Sequence, residues 1–334
     1  MAYLYITEQG ALLKKSGQRL VVLKDGEKLA DIPAAKIDGV LIFGNVQFTT
    51  QAVQLLFQQN IELALLSSHG KLLGQLASPV TKNIHLRQAQ YARKNDNIFV
   101  LKFSKAVVFG KLSNALELMR EFSHNHPDTD IGKEKDRLAA LCDQIDSESD
   151  LSYLLGMEGL GSRIYFQAFA KMIRHSFSFQ GRRRRPAPDP VNALLSLGYT
   201  MVYNEISSLL DGLGFDPYLG FYHRPHYGHA TLASDILEEF RSPLVDRLTL
   251  KLINNRIFKI EDFFLHNPSG GMYLKQEPRK RYFAEYENFI TRPMNSSSNR
   301  EIETDFRRLF RRQAERLKQA TMTDEPYRPY RFAW

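Results

Sequence analysis

Cysteine is nearly absent from these 334 residues: Cys142 stands alone, so no internal disulfide can form and a zinc site built on several thiolates is excluded. Long apolar runs are absent too. No stretch reaches the roughly 20 residues that span a bilayer, and the N-terminus lacks the charged region and apolar core of a secretory signal. No internal repeat is found. These absences lead to an expected cytoplasmic location with no membrane insertion. What remains is ordinary for a globular chain, 43% apolar and 25% charged residues, long enough for two domains and a sizeable core. The excess is positive charge. The net charge is +8, which calls for a polyanionic partner, nucleic acid or an acidic surface. The last 56 residues, from Arg279, hold thirteen Lys or Arg against eight Asp or Glu.

Along the chain, the first ~75 residues read as strand-rich. Tyr3 to Ile6, Leu20 to Leu23 and Val40 to Phe43 are β-branched or aromatic runs, with an Asp25-Gly26 turn signal, and Thr49 and Thr50 cap an expected helix through Gln59. Ile61 to Leu66 reads as a buried strand with a turn from Gly70. The pattern changes near Ser78-Pro79, after which helical spacing dominates, as in Phe99 to Phe122. The expected fold class is α+β: a small N-terminal β-sandwich-like domain, then a larger all-α domain. The expected boundaries are 1–77 for the first, 78–95 for a linker, 96–320 for the second, and 321–334 for an extended or disordered tail.

Three stretches carry candidate chemistry. In residues 219–247, His223 lies in a turn-rich loop that feeds a segment where Asp235, Glu238 and Glu239 fall at i, i+3 and i+4. On a helix these carboxylates share a face, while Leu232, Ile236, Phe240, Leu244 and Leu248 bury the other. One imidazole with carboxylate oxygens suits Mg²⁺ or Mn²⁺; a solvated acidic face is the competing reading. His226 and His229 extend His223 into an H-x₂-H-x₂-H series, but Pro225 and Gly228 interrupt the helix that a zinc triad would need. Glu158 lies among Gly156, Gly159 and Gly161 in an otherwise apolar segment, where an unpaired carboxylate is costly; pairing with Arg163 is the alternative to a metal. Arg182, Arg183, Arg184 and Arg185 form a block that reads either as a solvated loop or as a phosphate clamp.

Four blocks in order, EGLGSRIYFQAF from Glu158, RRRRPAPDPVNALLSLGYTMVYNEI from Arg182, GFDPYLGFYH ending at His223 and SDILEEFRSPLVDRL around Glu238, resemble the CRISPR-associated endonuclease/integrase family of the spacer-acquisition machinery. The resemblance implies an N-terminal β domain used for homodimerisation and a helical, metal-dependent catalytic domain. It implies Glu158, His223 and Glu238 as catalytic metal ligands for Mg²⁺ or Mn²⁺, with Asp235 beside them as their support or as an alternative ligand. The second acid of the family pattern is often Asp and is Glu238 here, which leaves open whether Asp235, Glu238 or Glu239 touches the metal. The implied activity is insertion of short double-stranded DNA into a CRISPR array by 3′-hydroxyl attack on a phosphodiester. A small companion subunit bridging two dimers is also implied. Arg163, Arg182 to Arg185, and Arg307 and Arg311 of the basic C-terminal helix would hold DNA phosphates, with Tyr165 at the DNA end. A hydrolytic DNA repair nuclease and a non-catalytic DNA-binding scaffold are the alternatives.

Overall fold

The computed structural model describes residues 3–59, 61–68, 72–76, 83–183, 186–293 and 304–333. The chain divides into two compact units, one up to residue 81 and one from residue 82 onward. The turn expected from Gly70, and the expected domain boundary at 77, lie outside the described residues.

The first unit contains strands β1 (Tyr3–Ile6), β2 (Leu12–Ser16), β3 (Arg19–Lys24), β4 (Glu27–Pro33), β5 (Gly39–Phe43) and β6 (Gln47–Phe48), helix α1 (Thr50–Gln58), then β7 (Glu62–Leu66) and β8 (Leu72–Leu76). They form two four-stranded sheets, ordered β1-β5-β7-β8 and β4-β3-β2-β6. Asp25 and Gly26 both take positive φ, 49° and 85°, in the tight connection from β3 to β4. Thr49 caps α1 by accepting from the Ala52 N–H at 3.2 Å. One buried cluster draws Leu4 and Ile42 from one sheet, Leu13 and Leu20 from the other, and Leu55 from α1.

The second unit is mainly helical: α2 (Ile84–Lys94), α3 (Asn97–Asn125), α4 (Gly132–Gln144), α5 (Leu151–Met172), α6 (Pro190–Leu213), α7 (Thr231–Leu237), α8 (Arg247–Asn254), α9 (Gln276–Ile290) and α10 (Phe306–Met322). It departs from an all-α reading by one antiparallel hairpin, β9 (Phe263–His266) with β10 (Gly271–Leu274). No helix among the described residues is long and apolar enough to cross a membrane.

One further expectation is corrected, and another is narrowed. The stretch read as a linker carries α2, which packs within the second unit. Its buried Gln90 donates to the Asp216 and Leu219 carbonyls at 2.9 and 2.8 Å, and Lys94 donates to the Phe221 carbonyl, so α2 braces the loop leading to His223. The segment after Thr321 is extended but not loose. Tyr327 and Phe332 are buried, and the Phe332 N–H donates to the Asn114 side chain at 2.8 Å.

Arg307 is corrected as well. It is buried rather than on a DNA-facing surface, with its guanidinium bound to Glu205 at 2.8 Å and to Glu287 at 2.6 Å. The partners come from α6 and α9, so a helix that reads as one basic face is pinned into the core. Arg307→Ala strands a buried carboxylate and should lower the unfolding free energy by roughly 3–5 kcal/mol. Arg311 is exposed. Arg311→Glu should leave the urea midpoint nearly unchanged and, on the phosphate-holding role that the resemblance implies, weaken DNA binding. Unfolding curves and salt-dependent DNA titrations of the two variants check this.

Candidate metal centre

The site is assembled from α3, α5, the loop before α7, and the turns after it. Glu158 lies in the middle of α5. Gly161, three residues on, faces Leu112 of α3 so closely that an added Cβ would lie 2.7 Å from that side chain, so glycine lets the two helices meet. The meeting brings Lys111 of α3 to Glu158: its ammonium bonds Glu158 Oε1, which also accepts from Ser162 Oγ at 3.0 Å. Arg163, the alternative partner, is exposed and not the group that pairs Glu158.

Glu238 follows α7 in a 3₁₀ turn, succeeded by a π-helical turn over Arg241–Asp246. Pro243 has no N–H with which to bond the Glu239 carbonyl four residues earlier. The Asn114 side chain of α3 donates to that carbonyl instead, at 2.8 Å. The irregular turn separates the two neighbouring acids. Glu238, 2% exposed, turns to Lys111 Nζ at 2.8 Å and Arg241 Nε at 2.8 Å. Glu239 turns the other way, accepting from Gln313 Nε2 and the Tyr330 N–H, and burial pushes its carboxyl up to about 7. The three acids therefore do not share one face. Burial opposes ionisation of Glu238, yet the charges of Arg241, Lys111 and His223 hold it well below the usual carboxylate range.

Asp235, 0% exposed, organises the His223 loop. Its carboxylate accepts the backbone N–H groups of Phe221, Tyr222 and His223 at 2.7, 3.1 and 2.9 Å, and faces His223 Nδ1 at 2.7 Å. Gly220 permits this approach, since a Cβ there would lie 2.8 Å from both Asp235 Oδ2 and the Thr231 backbone. Burial pulls His223 down, but the hydrogen bond and charge of Asp235 raise it above its ordinary value. With Asp235 at Nδ1, Nε2 is the ring nitrogen that faces the site, and it lies 3.8 Å from Glu238 Oε1. His229 is engaged elsewhere, stacked on Tyr203 with Nε2 at Ser234 Oγ, and His226 is exposed.

As they stand, no three His, Cys, Asp or Glu side chains among the described residues converge to hold an ion. The donor chemistry nonetheless fits a hard divalent cation: two carboxylates already share one positive group, and an imidazole is oriented from behind by a carboxylate. The Tyr222 hydroxyl is a second sign. Tyr222 is 4% exposed, burial and the charges of Glu158, Glu238 and Asp235 raise its pKa, and its oxygen has no hydrogen-bond partner among the described residues.

A cavity of about 890 Å³ opens beside Glu158 and is lined by Lys111, Arg163, Tyr165, Arg182 and Arg241 among others. The structure thus brings Arg163, Tyr165 and Arg182 together with Glu158. Arg182 is anchored on Asn192 Oδ1 and Ser196 Oγ, with its guanidinium over the Tyr199 ring. Arg183 is exposed next to it; Arg184 and Arg185 lie outside the described residues. Arg311 is not among the residues lining the cavity. The Tyr165 hydroxyl is buried and donates to Asp246 at 2.8 Å, so it forms a wall rather than meeting a DNA end.

Sequence reasoning missed Lys111, Arg241, Tyr199 and Asp246. Lys111 did leave a signal: it is a charged residue inside the buried stripe Val107, Val108, Leu112. Asp246 accepts from both Tyr165 and Tyr199. Burial pushes its carboxyl up to about 6, against those hydrogen bonds and the charges of Arg241 and Arg182. Between about pH 4 and about pH 6 the folded protein therefore holds a proton that the unfolded chain has lost. This contribution to stability is present at low pH and is lost as pH rises through the window. Asp246→Asn should abolish it. The stability difference, wild type minus variant, should fall by roughly 3 kcal/mol from about pH 4 to about pH 7 in paired denaturation series.

The family model described as CRISPR associated protein Cas1 matches residues 4–288. A CRISPR-associated endonuclease Cas1 of Chlorobaculum tepidum is 34% identical over 291 residues, 85% of this chain and 84% of the relative. A Cas6-RT-Cas1–Cas2 complex superposes with TM-score 0.83 at 25% identity, covering 100% of this chain and 36% of that one. A casposase bound to integration product superposes with TM-score 0.86 at 20% identity, covering 98% of this chain and 93% of that one, which is a likeness of fold.

Proposed function

The chain belongs to the CRISPR-associated Cas1 family, and from that premise we propose that it is a metal-dependent endonuclease/integrase that inserts short double-stranded DNA into a CRISPR array. The observation that carries the reading is the sharing of one cation by Glu158 and Glu238, beside a histidine oriented by Asp235. Glu158, His223 and Glu238 would hold Mg²⁺ or Mn²⁺, and Asp235 would position His223. When bound, such an ion neutralises charge developing on the phosphate and lowers the pKa of an attacking hydroxyl. The 3′-oxygen of the incoming DNA forms a bond to phosphorus, and the 3′-oxygen of the cleaved strand leaves. Arg163, Arg182 and Arg183 would bind the DNA backbone near Glu158, and Arg311 would bind it elsewhere, without reading sequence. Tyr165 would support this wall through Asp246.

The remaining assignments are part of the same proposal. The two N-terminal sheets, sharing one apolar cluster, make a sandwich-like unit used for homodimerisation. The Cas2-containing complex among the structural relatives supports a Cas2-type companion subunit, which in this proposal is small and bridges two dimers. The whole acts in the cytoplasm.

The test is strand transfer of a short duplex with free 3′ ends into a CRISPR-repeat plasmid, with Mg²⁺ or Mn²⁺ and the companion subunit. The expected result is joined product that disappears with chelator. Shortened DNA without joined product would identify a hydrolytic repair nuclease, and DNA binding without any reaction would identify a scaffold.

A further inference from the structure

We propose that Lys111 is a displaceable internal counter-ion of the metal centre, which holds Glu158 and Glu238 together before an ion enters and afterwards turns its charge toward DNA in the cavity. The inference rests on the proposed function and goes beyond it. The Lys111 ammonium bonds Glu158 Oε1 and Glu238 Oε2. Both oxygens belong to residues assigned to the divalent cation, and Nζ occupies the space between them. A divalent cation that takes the place between these two oxygens therefore requires Lys111 to leave.

Three features make Lys111 the group that moves. Its side chain is 13% exposed, and a buried ammonium is tolerated only while paired, so its position depends on the two carboxylates. Arg241 also holds Glu238 Oε2, but its guanidinium lies over the Tyr199 ring at 4.5 Å and is fixed there. Lysine instead carries a point charge on a flexible stem. Finally, Lys111 lines the 890 Å³ cavity with Arg163 and Arg182, so the displaced ammonium has space beside the other groups suited to phosphate.

Lys111 thus competes with the ion and favours its binding together with DNA, because a phosphate stabilises the displaced side chain. The test is calorimetric titration of the full-length protein with MnCl₂, with thermal unfolding in EDTA and in MnCl₂. Wild type is compared with Lys111→Met, Lys111→Gln and Lys111→Arg. The Met and Gln variants should bind Mn²⁺ about tenfold tighter, since a competing charge is gone. They should melt at lower temperature in EDTA, where two carboxylates face each other uncompensated, and show a larger upward shift with Mn²⁺. Lys111→Arg, which keeps the charge, should bind Mn²⁺ no tighter than wild type. In Mn²⁺ the Met variant should also bind duplex DNA with a salt slope shallower by about one phosphate contact, and in EDTA with an unchanged slope. Mn²⁺ affinity in the neutral variants equal to or below wild type overturns the proposal and leaves the metal assignment standing. No Mn²⁺ binding by wild type or any variant overturns the metal assignment, and the proposal with it.

Discussion

Glu158→Ala should lower strand transfer by on the order of 10³-fold, because it removes a carboxylate proposed to hold the metal, whose work is done in the transition state. The fold should survive. Glu158 is 22% exposed, and its loss leaves Lys111 still paired with Glu238 at 2.8 Å. Truncation of a partly buried side chain that leaves no buried charge alone costs little stability, so the melting temperature should move by only a few degrees. DNA binding should not weaken, since removing a carboxylate from a cavity that holds Lys111, Arg163, Arg182 and Arg241 makes its potential more positive. The expected pattern is therefore a catalytic loss with binding and folding retained, measured by joined product, duplex titration and thermal unfolding on one preparation. Unchanged strand transfer in this variant would remove Glu158 from the centre.

The parts of this centre that could be read from the chain are those encoded by local spacing. Leu232, Ile236, Phe240, Leu244 and Leu248 are all fully buried, as their four-residue recurrence requires. The residues brought together, Glu158, His223, Asp235 and Glu238, were all recognisable by type. Their division of labour was not, because it depends on partners distant in sequence. Glu239 is drawn away from Glu238 by Gln313, Tyr327 and Tyr330, and its carbonyl is satisfied by Asn114. Arg307 repeats the lesson: its exposed neighbours make α10 look uniformly basic, yet Glu205 and Glu287 draw this one side chain inside. Lys111 was visible only as an anomaly in an apolar stripe. Its meaning needed α5 alongside, and that proximity follows from Gly161 facing Leu112. The C-terminal segment is extended, one of the two expected forms, but what holds it in place was not legible for the same reason. Pro326 and Pro329 argue against regular structure but say nothing about Pro329 packing beside Gly110.

Asp235→Asn should inactivate the protein nearly as completely while preserving its shape. The Asp235 carboxylate accepts on both oxygens: Oδ2 takes the Phe221 and Tyr222 N–H groups, and Oδ1 takes the His223 N–H and faces His223 Nδ1. An amide keeps one acceptor. Retained toward Phe221 and Tyr222, it turns an NH₂ donor toward His223, whose backbone N–H loses its acceptor at a cost of roughly 1–3 kcal/mol. Nδ1 must then accept, which places the proton on Nε2, the nitrogen that faces Glu238 and is assigned to the metal. Metal affinity should fall by roughly 10–100-fold, the usual effect of losing a partner behind a ligating histidine, and strand transfer by on the order of 10²-fold or more, as expected of a wrong imidazole tautomer. Asp235→Ala differs in kind. It leaves three backbone N–H groups without their acceptor, at roughly 1–3 kcal/mol each, so it should destabilise the second unit by several kcal/mol. The two variants therefore separate orientation from stability. Nitrogen-15 chemical shifts of the His223 ring read the tautomer directly. A ring that keeps its proton on Nδ1 in Asp235→Asn, with strand transfer at the wild-type rate, would show that Asp235 serves the loop and not the histidine.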